Sequence, residues 1–264
     1  MATIFHSSAA KCPKGSLDQV ILHASLFHIL ELAEDKPDSY GYLDVPCERL
    51  VFTTHMNDWN NARNITWREA LKEIKGKNWG LGTVRYFRKP MRDNHFPTSG
   101  SAGSTRFSQI GGVFICDNGV HRCVAGKAYL LNRFGDQAVF REVLTRRYSL
   151  LQCLRPYIKT FASKGMGMEI FSSLHTSSYE IKGHRIRIIF RESGSLRYYA
   201  LSEDGVTVIS LGIMSLLKVF LSDTVRERAL WAHYKPSLLR MLLDSGNVAP
   251  KMIPPQAGSK YYGR

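Results

Sequence analysis

Apolar positions along the chain follow two different periods. Behind Ser16 and Gln19, whose spacing resembles a capping box, Val20, Ile21, Ala24, Phe27, Ile29, Leu30 and Leu32 keep a helical rhythm, so a helix is predicted from Ser16 to about Glu34. Pro37, Asp38, Ser39 and Gly41 then read as a turn, and Leu50, Val51 and Phe52 as a short strand entered from Pro46. Thr66 and Glu69 form a second capping box ahead of a helix from Trp67 to Lys75, which stops at Gly76. Thr83 to Arg88 alternates and predicts a strand with a basic face. From Pro90 to Gln109 the period disappears in the Ser/Gly-rich stretch PTSGSAGSTRFSQ, which predicts a long flexible loop.

Beyond that loop Gly112 to Cys116 has the character of a buried strand, Asp117-Asn118-Gly119 of a tight turn, and His121 to Leu131 of a helix. Further helical patterns span about 137 to 147 and 149 to 162. From Tyr179 the period becomes two: EIKGHRIRIIF, LRYYAL and VTVISL, separated by turns, predict a three-stranded antiparallel meander. Met214 to Asp244 reads as helical with a break at Pro236. The expected class is therefore α+β. An N-terminal helical segment occupies 1–42, a core 43–147, a helical and β-meander extension 148–246, and a tail expected to be mobile 247–264.

Composition narrows the partners. Hydrophobic residues make up 44% and charged residues 22%, which fits a folded chain and not a disordered one. The formal charge of +14 directs attention to polyanions, nucleic acid first. Five scattered cysteines form no C-x-x-C pair, so zinc and dithiol chemistry are not indicated and reduced thiols are expected. The longest apolar run, Val206 to Leu217, is too short and too interrupted to span a membrane, and the first residues lack the apolar stretch of a secretory signal. A cytoplasmic protein is expected.

The stretch richest in chemistry is Asp117, Asn118, Gly119, Val120, His121, Arg122 and Ala125, set between a buried strand and a helix. Glycine there lets backbone N–H groups approach an anion, the helix N-terminus adds partial positive charge, and His121 and Arg122 supply directed donors. Asp117 is the natural ligand for a metal that accompanies phosphate. No Walker, nucleophile-elbow or zinc-protease pattern is present.

With these residues the chain resembles the ParB/sulfiredoxin superfamily over about residues 43 to 145, whose members carry G-x-H-R or a relative between a strand and a helix. The upstream order agrees: an entry at Val45-Pro46, a strand to Phe52, a polar segment Asn57 to Arg63, the helix Trp67 to Lys75, a strand at Thr83 to Arg88, and then DNGVHR. The resemblance implies a mixed-sheet core that binds phosphate. His121, Arg122 and Asp117 would be its catalytic residues, Asn118, Gly119 and Arg63 its phosphate contacts, and Asp117 its metal ligand, with a nucleoside triphosphate and Mg2+ as cofactors. Among the branches of that superfamily, sulfiredoxin chemistry is disfavoured because Val120 stands where the catalytic cysteine precedes His-Arg. A partition clamp is disfavoured because no helix-turn-helix domain follows.

A second surface is electrostatic. Arg185, Arg187 and Arg191 alternate with Ile186, Ile188 and Phe190, and Arg197, Tyr198 and Tyr199 follow on the next strand, so phosphates and unstacked bases have a basic, aromatic face to meet. The resulting expectation is a nucleic-acid-binding protein, DNA before RNA, acting as a nuclease or nucleotide-dependent protein of a plasmid, phage or defence system. The alternatives are a non-catalytic DNA-binding or inhibitor protein that keeps the fold, and a small-molecule kinase or ATPase.

Overall fold

The computed structural model describes residues 3–12, 15–24, 27–54, 65–74, 79–98, 103–172, 180–181, 184–209 and 231–244. Its chain is α+β and divides into two compact units: Met1–His23 with Asp35–Tyr148 and Ser245–Arg264, and Ala24–Glu34 with Ser149–Asp244. Among the described residues no helix is long and apolar enough to cross a membrane. The predicted tail, 247–264, lies outside the described residues.

The first unit holds a six-stranded mixed sheet. Its strands are β1 (Leu22–His23), β2 (Ser39–Pro46), β3 (Leu50–Thr53), β4 (Arg106–Ile110), β5 (Val113–Asn118) and β6 (Val139–Tyr148), in the order β1-β3-β5-β4-β6-β2. β1, β3 and β5 run parallel, so their carboxyl ends share one edge. The helices α1 (Thr3–Lys11), α2 (Trp67–Lys72), α3 (Leu81–Arg88) and α4 (Val120–Phe134) contribute to one core cluster. It includes Phe5, Trp67, Leu71, Phe87 and Cys123 from the helices, and Leu43, Val45, Leu50, Phe107, Phe114 and Phe140 from alternate strand positions. Both halves of the Thr66/Glu69 capping box are present at α2, as predicted.

Several elements of the first unit differ from expectation, and β2 itself begins at Ser39 within the expected turn. Residues 17–21 are not helical: Leu17 and Gln19 carbonyls accept from Arg68 and Trp67 N–H groups and Ile21 N–H donates to the Ile65 carbonyl, so the segment lies alongside the start of α2 while Leu17 and Ile21 fill the core. After β1 the chain takes a left-handed residue at His28 and a 3-10 turn over Ile29–Leu32. The predicted strand at Thr83–Arg88 is α3, because Thr83, Val84, Tyr86 and Phe87 form one buried helical face whose rings meet Phe5, Phe96 and Phe140.

The predicted helix at 137–147 is the strand β6. Glu142, at φ 50°, sits in a bulge where β6 pairs with β2, and the extra residue spaces the buried Phe140, Val143 and Leu144 as i, i+3, i+4. The end of the predicted loop, Arg106 to Gln109, is a central strand. It joins β5 through a two-residue Gly111-Gly112 hairpin with Gly111 at φ 56°.

The second unit contains α5 (Arg155–Ser163), the strands β7 (Met168–Ser172), β8 (Glu180–Ile181), β9 (His184–Glu192), β10 (Tyr198–Ser202), β11 (Gly205–Ile209) and β12 (Ala232–Tyr234), and α6 (Pro236–Leu243). The meander β9-β10-β11 is present as predicted. β7 and β12 extend it into an antiparallel sheet of order β11-β10-β9-β7-β12, and β8 pairs with β9 as well. Residues 232–234, expected to be helical, form β12, and 210–230 lie outside the described residues.

Candidate functional site

The strand–turn–helix predicted at 112–131 is in place, with its strand beginning at Val113. β5 ends at Asn118, Gly119 takes φ 86°, and α4 begins at Val120. Only a residue without Cβ accepts that backbone cheaply here. A methyl group on Gly119 would lie 3.0 Å from Arg122 Nε and 3.1 Å from Thr105 Oγ1, on top of the left-handed strain. Gly119 brings no side chain to cap the helix, and the first backbone N–H groups of a helix find no acceptor inside it. The first intrahelical bond here is from Cys123 N–H to the Gly119 carbonyl.

Three side chains of the motif are anchored to their surroundings. Asn118 Nδ2 donates to the Ser104 carbonyl at 2.7 Å, and Arg122 Nη1 to the Gly103 carbonyl at 3.0 Å. Arg122 is 6% exposed, and its guanidinium lies 5.2 Å over the Phe96 ring. Asp117 Oδ2 accepts from Ser108 Oγ at 2.7 Å, and the Asp117 carbonyl accepts from Thr54 Oγ1 at 3.2 Å. Segment 103–105 is thereby bound to the turn, and Tyr86 holds Thr105 at 3.1 Å. Burial pushes the Tyr86 phenol up, opposed by the Thr105 hydrogen bond and the Arg122 charge. Beneath the turn the sulfur atoms of Cys116 and Cys123 lie 3.2 Å apart, and burial holds the Cys116 thiol well above its ordinary value.

Asp117, Asn118, Gly119, His121 and Arg122 therefore share the carboxyl edge of the parallel strands, with His121 half-buried in the first turn of α4. Arg63 lies outside the described residues. Among the described residues no group of three or more His, Cys, Asp or Glu side chains converges as a metal cage. Sequence reasoning missed Thr54, Ser108 and Phe96 as supports. It also missed Arg106, an exposed cation in register with Asn118 across the β4–β5 hairpin. The Gly-Gly dipeptide was the signal that would have placed Arg106 there.

The second predicted surface is divided. Of Arg185 the backbone alone is described, in β9. Arg187 is half-buried, with Nε 3.5 Å from Glu31 and Nη2 donating to the Ala33 carbonyl at 3.2 Å. Arg191 donates to Glu169 and to Tyr198 Oη, and its guanidinium lies over the Tyr198 and Trp231 rings at 5.2 and 5.1 Å. Tyr198 is buried, whereas Arg197 is exposed. Arg187 and Arg191 thus serve internal ion pairs, and Arg197 faces solvent. No family model, curated protein or solved structure matches the chain.

Proposed function

We propose that the protein binds nucleic acid and holds a phosphate group at the turn between β5 and α4, in the way the ParB/sulfiredoxin resemblance implies. The observation that carries this reading is the left-handed Gly119 at the start of a helix of 15 residues, on the edge where three parallel strands end. Backbone N–H groups of the first turn and the His121 imidazole are the donors to phosphate. Arg122, buried behind them, positions the turn and adds positive potential, and Arg106 supplies an exposed charge beside Asn118. The net charge of +14 supports a polyanionic partner.

A nucleoside triphosphate with Mg2+ fits this donor set in one way. Mg2+ commonly takes one or two protein carboxylates and completes its shell with phosphates and water, and Asp117, steadied by Ser108, is the carboxylate at the turn. Such an ion would neutralise phosphate charge, and His121 is the group at the turn able to move a proton in phosphodiester cleavage.

Melting temperature tests the reading with ATP, CTP and a DNA duplex as separate ligands. A ligand at 100 times its dissociation constant stabilises by about 2.7 kcal/mol, so at least one of them raises the midpoint of the parent chain. His121→Ala keeps the unliganded midpoint and loses most of the shift. Equal shifts in parent and variant would overturn the assignment of the turn.

A further inference from the structure

The second unit contains a groove that the turn does not explain. It has a volume of about 410 Å3 and opens between α5 and the β9–β10 hairpin, which puts it within the rough range of 300–1,000 Å3 typical of ligand sites. Its floor is aromatic. Tyr199 stacks on Phe190 with centroids 5.2 Å apart and planes 17° from parallel, and Tyr157 meets Tyr199 edge-on at 5.0 Å. Tyr157 also meets Phe190 at 5.5 Å, and both tyrosines are half-exposed. Their rings are fixed by packing before any ligand arrives, so a planar group landing on them orders no side chain.

The rim is charged. Lys164 and Arg197 are both exposed, and Glu192 pairs with Lys164 at 3.3 Å. That pair has its lysine in solvent, and such pairs contribute little, so the ammonium is free to exchange its carboxylate for a stronger anion. Arg197 leaves the rim net positive. Aromatic ring faces beside cations select a ligand with a flat π-face and a phosphate.

We propose that this groove binds single-stranded nucleic acid, with one base stacked on Tyr157 and its edge against Tyr199, and the adjoining phosphates at Arg197 and Lys164. A single strand is favoured because its bases are free to leave their neighbours and stack on protein rings, whereas duplex bases present only their edges. The proposal rests on the nucleic-acid reading for its partner class and adds to it a second, base-reading site.

Fluorescence anisotropy of a labelled twelve-residue oligo-dT, titrated with the full chain at several salt concentrations, tests it. Tyr157→Ala weakens binding of the single strand roughly tenfold, and Tyr157→Phe retains it, because stacking needs the ring and not the hydroxyl. Arg197→Ala weakens binding and lowers the slope of log affinity against log salt by about 0.7, the contribution of one phosphate contact on a single strand. Duplex affinity stays unchanged in all three variants, and circular dichroism confirms that they fold. Equal single-strand affinity in Tyr157→Ala and parent would overturn the groove while leaving the turn intact. Loss of single-strand and duplex binding together in Tyr157→Ala, with the fold retained, also overturns the base-reading role. A parent chain that binds neither oligo-dT nor duplex overturns the nucleic-acid reading and the groove with it.

Discussion

In the unit that carries the turn, two cations of α4 lie inside. Arg122 is 6% exposed between the Gly103 carbonyl and the Phe96 ring, and Lys127 is fully buried, donating to the Leu50 carbonyl at 2.8 Å with its ammonium 4.3 Å from the Trp67 ring centroid. In the other unit Arg197 and Lys164 stand in solvent beside Tyr157 and Tyr199, and Arg191 occupies a middle position, half-buried between Glu169, Tyr198 and Trp231. The same pairing of cation and ring thus occurs in both units with opposite consequences. A buried guanidinium with a fixed acceptor holds backbone in place, and its removal loses that bond and the ring contact together. An exposed one has little to hold and is available to a ligand.

The largest expected effect follows from that contrast. Arg122→Ala leaves the Gly103 carbonyl without its charged donor and opens space above Phe96, so it destabilises by about 2–4 kcal/mol in urea unfolding. Arg197→Ala changes stability by less than about 0.5 kcal/mol in the same measurement. Similar losses in the two variants would erase the distinction between the units. Sequence alone reads Arg122 as a directed donor to an anion, and its burial against the Gly103 carbonyl and the Phe96 ring is the ground for the expected loss of stability.

Gly119 and Gly194 have nearly the same left-handed φ, 86° and 80°, but a Cβ on Gly194 meets nothing within 4 Å, whereas one on Gly119 meets Arg122 and Thr105. Gly194→Ala therefore costs the backbone term alone, about 1–2 kcal/mol. Gly119→Ala adds crowding against side chains that are themselves held, for about 2–3 kcal/mol. Chemical denaturation of the two variants compares them directly.

The smallest effect belongs to Lys127, whose burial lowers its pKa to about 8. Because the unfolded lysine titrates near 10.4, the unfolded chain holds more protons than the folded one between these values, and the lysine's contribution to stability rises with pH there. Between pH 8 and 9 this amounts to about 1 kcal/mol. The buried thiols of Cys47 and Cys116 act in the opposite sense: burial raises their pKa values, so their contribution falls as pH passes the unfolded thiol value. They are common to the parent and Lys127→Met, so the stability of the parent minus that of the variant increases by about 1 kcal/mol over this interval. A difference that stays flat would show that the ammonium is solvated.

How much of this was legible in sequence depended on whether local pattern and tertiary role agreed. The strand–turn–helix at 112–131 is readable because a buried run, a turn tripeptide and a helical period follow one another directly, and the capping box at Thr66 because it is a local contact. In sequence β6 has the pattern of a helix because the bulge at Glu142 gives a strand the spacing of a helix, and α3 that of a strand because its Thr, Val, Tyr and Phe favour strands until packing decides. β4 was hidden by Ser108 and Gln109, polar residues that a central strand keeps by hydrogen-bonding them to Asp117 and to the Gly111 carbonyl. The groove was invisible because Tyr157 lies 42 residues from Tyr199 and only the packing of α5 on the sheet brings them together.

The central claim is that backbone N–H groups at the Gly119 turn meet phosphate, and amide chemical shifts of a 15N-labelled chain titrated with ATP, CTP or a DNA duplex test it most directly. Saturable shifts are expected at Gly119, Val120, His121 and Arg122 with the ligand that raises the melting temperature, reduced in His121→Ala, while Gly194 stays unmoved. Saturable binding of that ligand with the Gly119 to Arg122 amides unshifted would contradict it.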